Sequence, residues 1–225
     1  MTRRILPLTL VTAGCMIPAA RASAPPPPAE AREIDLPAPD LQGRMPLEQA
    51  LAARRSVRDF AATPLTMSQV SQLLWAAQGI TGPGGVRTTP SAGALYGLEV
   101  LVVLPQGVYR YEPDGHRLIR REPSDMRRAL HDAALSQKFV LEAPAVVVMA
   151  TVPSVIAAKY GRERGARYAL LEAGHAAQSV LLEAVALGLG AVPVGAFDDR
   201  RVSEVLKLER GREPVYLIPV GKPLP

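Results

Sequence analysis

Three arginines and a serine crowd into the short segment ARRSVRDF, residues 53–60. Arg54, Arg55 and Arg58 stay protonated at any physiological pH, and each guanidinium presents a planar fork of donors that suits a phosphate or a carboxylate. A second interpretation is a solvated helix end, because basic residues in a last helical turn stabilise the helix dipole. The segment alone therefore indicates either an anion site or a basic helix terminus.

Two other stretches are rich in small residues that would let main-chain groups approach a flat ligand closely. The first, TTPSAGALYG, contains Ser91, Ala92 and Gly93. The second, AVPVGAF, contains Pro193, Val194, Gly195 and Ala196. Together with the arginines, these stretches suit a planar, anionic, redox-active ligand, a kind of cofactor for which the protein supplies position and fixed dipoles.

Most familiar catalytic patterns are absent from the sequence. No serine lies in a G-x-S-x-G turn, and GPGGVRTT lacks the lysine of a phosphate-binding P-loop. Glu172 and His175 make one E-x-x-H step, whereas a di-iron site needs two such steps and further carboxylates. We therefore expect no metal site and interpret His175 as an interior or interface histidine.

The charge balance argues against a nucleic-acid partner. The chain has 225 residues, 48% of them hydrophobic, and a formal charge of +5. Residues 1–24 hold three of the 26 basic residues and none of the 21 acidic ones, which leaves the remainder with a net charge of +2. That remainder is too balanced for an electrostatic nucleic-acid footprint, and aromatic residues, at 4%, are too few for base stacking.

The first 22 residues have the pattern of a signal peptide: a basic start, an apolar run and small residues before Ser23. The apolar run is shorter than the ~20 residues of a spanning helix, so we expect no permanent membrane span. TRRIL resembles a twin-arginine signal, and VTAGC weakly resembles a lipoprotein box ending at Cys15, the only cysteine. The prediction is an exported, periplasmic protein, with lipid anchoring at Cys15 as the less favoured alternative.

Residues 23–44 are rich in proline and lack an apolar period, which indicates an extended arm, and the folded domain is expected over 45–225. One helical pattern begins after Met45, and a second one ends at Gly79. Further helical patterns run over Ser124–Leu135, Tyr168–Gly188 and DDRRVSEVLKL. Strand patterns are LEVLVVL, GVYRYEP, HRLIRRE, PAVVVMAT and VYLIPVG. Strands do not alternate strictly with helices, so the predicted class is α+β in one domain.

Four stretches together resemble one family. RRSVRDF, PSAGALYGLE, EAGHAAQSVLLEAVALGLGAVPVGAFDD and YLIPVGKP closely resemble the nitroreductase-fold flavoproteins and, within them, the SagB/ThcOx-type dehydrogenases. The resemblance covers the chain from Pro46 to its end. It implies a central, mainly antiparallel sheet flanked by helices, a long central helix at a dimer interface, and a homodimer with FMN at each interface.

The resemblance also implies roles for the candidate residues. The FMN phosphate, ribityl oxygens and pyrimidine edge would be held by Arg54, Arg55, Ser56 and Arg58, and the phosphate also by Lys222. The segment beside the flavin of the partner chain would be Ser91, Ala92 and Gly93. The backbone facing the flavin N5 edge would be that of Pro193, Val194, Gly195 and Ala196.

The implied mechanism is ping-pong hydride transfer through N5, to or from an unidentified small-molecule or peptide substrate. Lys159 and Tyr160 resemble a Lys–Tyr pair of the peptide-modifying azoline oxidases, where a base removes a proton from carbon. Their alternative interpretation is a surface lysine beside a packed tyrosine. Two other functions stay open: a flavin- or small-ligand-binding protein without turnover, and an anion-binding structural module without flavin. An exported enzyme would need an electron donor other than NAD(P)H.

Overall fold

A seven-stranded antiparallel sheet forms the centre of the computed structural model, which describes residues 33–224. The strands are β1 (Glu33–Asp35), β2 (Leu98–Leu104), β3 (Gly107–Glu112), β4 (Arg117–Glu122), β5 (Ala145–Thr151), β6 (Gly190–Ala191) and β7 (Glu213–Gly221). Their order across the sheet is β1-β4-β3-β2-β5-β7-β6. The predicted signal peptide and Cys15 lie outside the described residues.

Helices cover both faces of the sheet. They are α1 (Leu47–Ala53), α2 (Met67–Gln78), α3 (Arg127–Ala133), α4 (Lys138–Glu142), α5 (Pro153–Tyr160), α6 (Arg162–Ala186) and α7 (Asp199–Val205). Each of these helices within residues 33–224 is too short or too polar to cross a membrane. The short helices α4 and α5 were not predicted, and α6 begins six residues before the predicted Tyr168.

The central strands are apolar on both faces because each face packs against helices. Side chains alternate across a strand, so Val100 and Val102 of β2 join the core cluster that includes residues of α2 and α6. Leu101 and Val103 point the other way and join the cluster that includes residues of α3 and α7. This double burial explains the nearly continuous valine and leucine runs of β2 and β5.

The long helix α6 buries a stripe of small residues and exposes a stripe of larger ones. Ala169, Ala173 and Ala176 are buried, and their small size lets the helix pack closely. On the opposite side, Leu170 and Leu171 are 57% and 54% exposed. Only one face of the helix is covered within the chain, and its exposed face carries leucines near the middle and arginines in the first two turns.

The sheet begins before Met45, within the segment predicted as an arm. β1 pairs with β4, and the Leu36 amide donates to the His116 carbonyl at 3.1 Å. The Ser71 hydroxyl donates to the Pro37 carbonyl at 2.6 Å, so α2 also holds this segment. A strand of three residues is too short to show an alternating pattern, which is why the sequence did not reveal it.

Truncating Leu36 should test how firmly this segment is part of the fold. Leu36 is 8% exposed, so Leu36→Ala is expected to lower the free energy of unfolding by about 2–5 kcal/mol. The matched control is Leu41→Ala in the same segment, where the side chain is 73% exposed and the change should stay within about 0.5 kcal/mol. Urea denaturation measures both, and equal effects would show that the segment does not contribute to the core.

Candidate functional site

The arginine segment packs along the edge of the sheet formed by β6 and β7. The Val57 amide donates to the Ala191 carbonyl at 3.1 Å, which pairs the segment with β6. The Ala61 amide donates to the Lys222 carbonyl at 2.9 Å, which pairs it with the end of β7. These main-chain bonds bring together three regions that are far apart in sequence: 54–61, 190–196 and 222–224.

Gly190 makes this approach possible. A Cβ atom built on Gly190 would lie 2.6 Å from the Cβ of Val57, which is closer than side-chain atoms can approach. Any larger residue would therefore push the arginine segment away from β6. The glycine is needed for space here, not for backbone flexibility.

Two arginines and one lysine in this region have no counter-charge. Within residues 33–224, the side chains of Arg54, Arg58 and Lys222 form neither an ion pair nor a hydrogen bond. The Arg58 guanidinium lies 5.7 Å from the centre of the Phe139 ring. Arg55 differs, because its Nη1 donates to the carbonyls of Ala52 and Arg54 at the end of α1. The two interpretations of the segment thus apply to different residues: Arg55 satisfies the helix end, and the other cations are available to an anion.

The predicted 193–196 segment presents main-chain donors at the surface. Val194 pairs with Leu217 of β7 through hydrogen bonds of 2.8 and 3.0 Å, which fixes the segment to the sheet. Gly195 and Ala196, which follow, are exposed, and their amides have no partner among the described residues. The Ala196 carbonyl accepts from the Gln137 side chain at 2.8 Å.

The Ser91–Gly93 segment forms a tight turn whose backbone is unusual. Gly93, Ala94 and Tyr96 all have left-handed φ angles, of 62°, 54° and 53°. The Ser91 hydroxyl donates to Glu172 of α6 at 2.7 Å and accepts from the Tyr96 amide at 2.9 Å. Since two of the three residues are not glycine, surrounding contacts must hold the turn in this conformation.

Lys159 and Tyr160, at the end of α5, lie directly against this turn. A Cβ atom on Gly93 would be 2.8 Å from the Tyr160 hydroxyl oxygen and 3.0 Å from the Lys159 Nζ. Tyr160 also packs edge-to-face against Tyr168, with ring centres 5.3 Å apart. The structure therefore brings both predicted proton-transfer residues to the small-residue turn, with Lys159 exposed and Tyr160 half-buried.

Within one protomer, the turn and the cationic region are far apart. The turn contacts α6 at Glu172, whereas the cations lie beside β6, which follows the end of α6 at Ala186. A helix rises 1.5 Å per residue, so these two points on α6 are about 20 Å apart. A single protomer does not gather all the predicted residues around one small ligand.

Glu172 is the buried ionisable residue of the site, and sequence reasoning weighed it only as an iron ligand. It is 1% exposed, and burial raises the pKa of its carboxyl group. His175, its partner in the E-x-x-H step, is exposed in the protomer rather than interior. No group of three or more potential metal ligands occurs among the described residues. Only the apolar surroundings of Glu172 in the sequence, YALLEAGHAA, hinted that its carboxylate would be buried.

Known proteins share the sequence pattern and the architecture of this chain. The Nitroreductase family model matches residues 51–222. The chain belongs to the nitroreductase family. A Methanocaldococcus jannaschii protein named as a nitroreductase is 42% identical over 196 residues, covering 84% of this chain and 96% of that protein.

Solved nitroreductase-family structures superpose on the chain. A Ralstonia eutropha protein, also named as a nitroreductase, has a TM-score of 0.79 and 32% identity, covering 90% of this chain and 95% of its own. The NADPH:FMN oxidoreductase of Vibrio harveyi shares the fold, with a TM-score of 0.60 and 21% identity over 79% of this chain and 68% of its own. The predicted nitroreductase-like α+β fold is confirmed, and the chain is an oxidoreductase of this family.

Adding a methyl group at Gly93 should expose its contact with Tyr160. Gly93→Ala is expected to lower the free energy of unfolding by about 1–3 kcal/mol, because it combines a left-handed φ angle with a close contact. Gly84→Ala is the control, since Gly84 has φ of 75° and open space around it. In a Tyr160→Phe background, which lacks the hydroxyl, Gly93→Ala should cost less. Equal costs for Gly93→Ala and Gly84→Ala would contradict the contact.

The stability of the protein should depend on pH through Glu172. Because burial raises the pKa of this carboxyl, the folded protein holds its proton to higher pH than the unfolded chain does. The contribution to stability is then complete below the unfolded pKa and is lost as pH rises through the folded pKa. Relative to Glu172→Gln, the wild type should lose stability between acid and neutral pH, measured by urea denaturation. The exposed Glu163→Gln is the control, and parallel curves for wild type and Glu172→Gln would contradict the prediction.

Proposed function

We propose that the protein is an FMN-dependent oxidoreductase of the SagB/ThcOx type. The observation that carries the proposal is the position of three cations, Arg54, Arg58 and Lys222, on segments that pair with the edge of the sheet formed by β6 and β7, close in sequence to the exposed residues Gly195 and Ala196 that follow β6. A doubly charged phosphate would offset most of their positive charge, and exposed amides suit the polar edge of a flat ring. FMN has both parts, and the Vibrio harveyi protein of the same fold is an NADPH:FMN oxidoreductase.

The residues of this chain would divide the work as follows. Arg54, Arg58 and Lys222 would bind the phosphate, Ser56 would hydrogen-bond the ribityl chain, and Gly195 and Ala196 would donate their amides to the ring edge. When bound, FMN supplies hydride exchange at N5 in two half-reactions, one with an electron donor and one with an acceptor, in ping-pong order.

Lys159 and Tyr160 would move a proton at a substrate carbon next to a nitrogen, as azoline oxidation requires. Both side chains end at the Gly93 turn, where the absence of a Cβ atom makes room for the Tyr160 hydroxyl and the Lys159 ammonium group. Assays with azoline-containing peptides and with nitroaromatic acceptors test this assignment. If Lys159→Ala and Tyr160→Phe oxidise azolines as fast as the wild type does, the proton-transfer role is wrong.

We further propose a homodimer in which each site uses both subunits. The leucines Leu170 and Leu171 of α6 and Leu47 and Leu51 of α1 are exposed, and α1 packs against α6, so a second copy would cover these side chains. A second copy would also bring its Ser91–Gly93 turn toward the cations of the first, which the distance along α6 prevents within one chain. Sedimentation of the purified protein as a monomer that still binds FMN would contradict this arrangement.

Export would set the identity of the electron donor. If the first 22 residues are a cleaved signal peptide, the mature enzyme works where NAD(P)H is scarce and uses a different donor, or passes electrons to oxygen or a quinone. The twin-arginine route suits such an enzyme because it carries folded proteins with their cofactors. Mass spectrometry of the protein from separated periplasm and cytoplasm tests this, and an intact N-terminus in the cytoplasm would overturn it.

The decisive experiment is an absorbance spectrum of the purified protein beside that of Arg58→Ala. Bound FMN should give visible flavin bands, and denaturation should release FMN rather than FAD or riboflavin. Loss of one charged phosphate contact should raise the Kd for FMN by at least about tenfold.

Arg210→Ala is the charge-matched control for this experiment. Arg210 is exposed and precedes β7, whereas Lys222 follows it, so the nine residues of the strand hold them about 30 Å apart. We expect Arg210→Ala to bind FMN as the wild type does. A colourless protein that takes up no added FMN would overturn the proposed function, whereas FMN binding without turnover of any donor would indicate a flavin-binding protein.

A further inference from the structure

The carboxylate of Glu172 is buried at the middle of α6, and both of its oxygens are used. One oxygen accepts a hydrogen bond from the Ser91 hydroxyl at 2.7 Å, and the other accepts one from the Gln78 side-chain amide at 3.2 Å. Only 1% of the residue is exposed. A charged group in such a position is costly unless it is hydrogen-bonded, so its retention calls for a specific purpose.

The hydrogen bonds of Glu172 belong to a closed series of contacts among five residues. The Gln78 carbonyl oxygen accepts from the Arg87 guanidinium at 2.8 Å, and that guanidinium lies 4.4 Å from the centre of the Tyr96 ring. The Arg87 amide also donates to the Tyr96 hydroxyl at 3.2 Å. The Tyr96 amide in turn donates to Ser91, which returns to the carboxylate. The ring consists of Glu172, Ser91, Tyr96, Arg87 and Gln78.

This ring encloses the strained turn. Ala94 and Tyr96 have left-handed φ angles that residues other than glycine adopt only when their surroundings enforce them. Glu172 contacts the turn through its hydrogen bond with Ser91, and Arg87 contacts it through Tyr96. The outer side of the turn, at Gly93, is the surface against which Lys159 and Tyr160 lie.

We propose that Glu172 is the positioning residue of the candidate site: its carboxylate holds Ser91, and so fixes the turn that sets where Lys159 and Tyr160 lie. An acceptor-only group is required because two donors, the Ser91 hydroxyl and the Gln78 amide, converge on it. A glutamine would have to point its own amide hydrogens at one of these donors. Ser91 can adapt by accepting instead of donating, so Glu172→Gln should keep part of the geometry.

Glu183 provides an internal comparison. It lies eleven residues further along α6, about three turns, and so on the same face of the helix. Burial raises its pKa too, and Gln72 of α2, whose side-chain amide donates to the Asp40 carbonyl at 3.1 Å, lies close enough to offset part of that rise. Glu183 is half-buried and holds no turn. If Glu172 acted only by stabilising the packing of α2 on α6, truncating either glutamate would have the same consequences.

The test compares Glu172→Ala, Glu172→Gln, Ser91→Ala and Glu183→Ala with the wild type, all as full-length protein loaded with FMN. The first readout is hydrogen exchange of the Tyr96 amide, which Ser91 protects. The second is the rate at which acetic anhydride acylates Lys159, read by mass spectrometry. Both are independent of turnover, while a third readout, azoline oxidation, rests on the proposed function.

We expect Glu172→Ala and Ser91→Ala to speed exchange of the Tyr96 amide about tenfold and to change the acylation rate of Lys159 at least threefold. Glu172→Gln should fall between these variants and the wild type. Glu183→Ala should leave both readouts unchanged. Where azolines are turned over, kcat should fall for Glu172→Ala with KM nearly constant.

Three results would overturn the inference. They are unchanged Tyr96 exchange in Glu172→Ala, unchanged Lys159 acylation in that variant, or equal effects of Glu172→Ala and Glu183→Ala. If Glu172→Ala does not fold, Glu172→Gln keeps the size of the side chain and decides the question, because Ser91→Ala also removes the acceptor of the Tyr96 amide itself. Wild-type values of both readouts in Glu172→Gln would then overturn the inference. Loss of FMN binding in the wild type would defeat the proposed function and leave the two turnover-independent readouts intact.

Discussion

Main-chain pairing between the arginine segment and the edge of the sheet determines where the candidate anion-binding residues lie. Three backbone hydrogen bonds hold the segment against β6 and the residues that follow β7, and these bonds decide which residues are neighbours. Because backbone atoms make the contact, the side chains of Arg54 and Arg58 form no ion pair or hydrogen bond with the described residues. The edge of the sheet thus positions these cations without supplying a counter-charge from the described residues.

That arrangement has a cost, which the rest of the fold has to offset. Like charges without counter-ions repel one another and favour unfolding or the binding of an anion. Ion pairs do form elsewhere: Arg212 binds Glu99 and Glu209, and Arg121 also binds Glu209. The absence of an ion pair does not by itself mark a ligand site, since the exposed Arg210 lacks one too among the described residues. What distinguishes Arg54, Arg58 and Lys222 is their position on segments that pair with one edge of the sheet.

Much of the fold could be predicted because its signals are local. The double-sided burial of β2 and β5 shows in their valine runs, and the end of α2 shows in Gly79. What the sequence could not reveal depends on distant partners. β1 exists because β4 offers it an edge, and its three residues are too few for a pattern. The first six residues of α6, with arginines at three positions, look polar and were left out of the predicted helix.

The candidate site divides in the same way. The arginines and the two small-residue stretches were recognised from residue type, and the structure places Lys159 and Tyr160 against one of those stretches. Glu172 was seen in the sequence, but its hydrogen bonds to Ser91 and Gln78 come from elements 81 and 94 residues away. No local sequence pattern indicates that these distant residues meet. Arg55 is the opposite case: its residue type suits an anion, but its guanidinium donates to carbonyls at the end of α1.

The unbroken length of α6 has an evolutionary consequence. The strained turn contacts α6 near its middle, and the β6 edge follows its end. The number of residues between these points therefore sets the distance between the turn and the edge and their relative rotation about the helix axis. One inserted residue between Glu172 and Ala186 would rotate everything beyond it by about 100° and advance it by 1.5 Å. Relatives that keep both the turn and the β6 edge should therefore keep the length of this stretch of helix, whereas surface loops tolerate insertions.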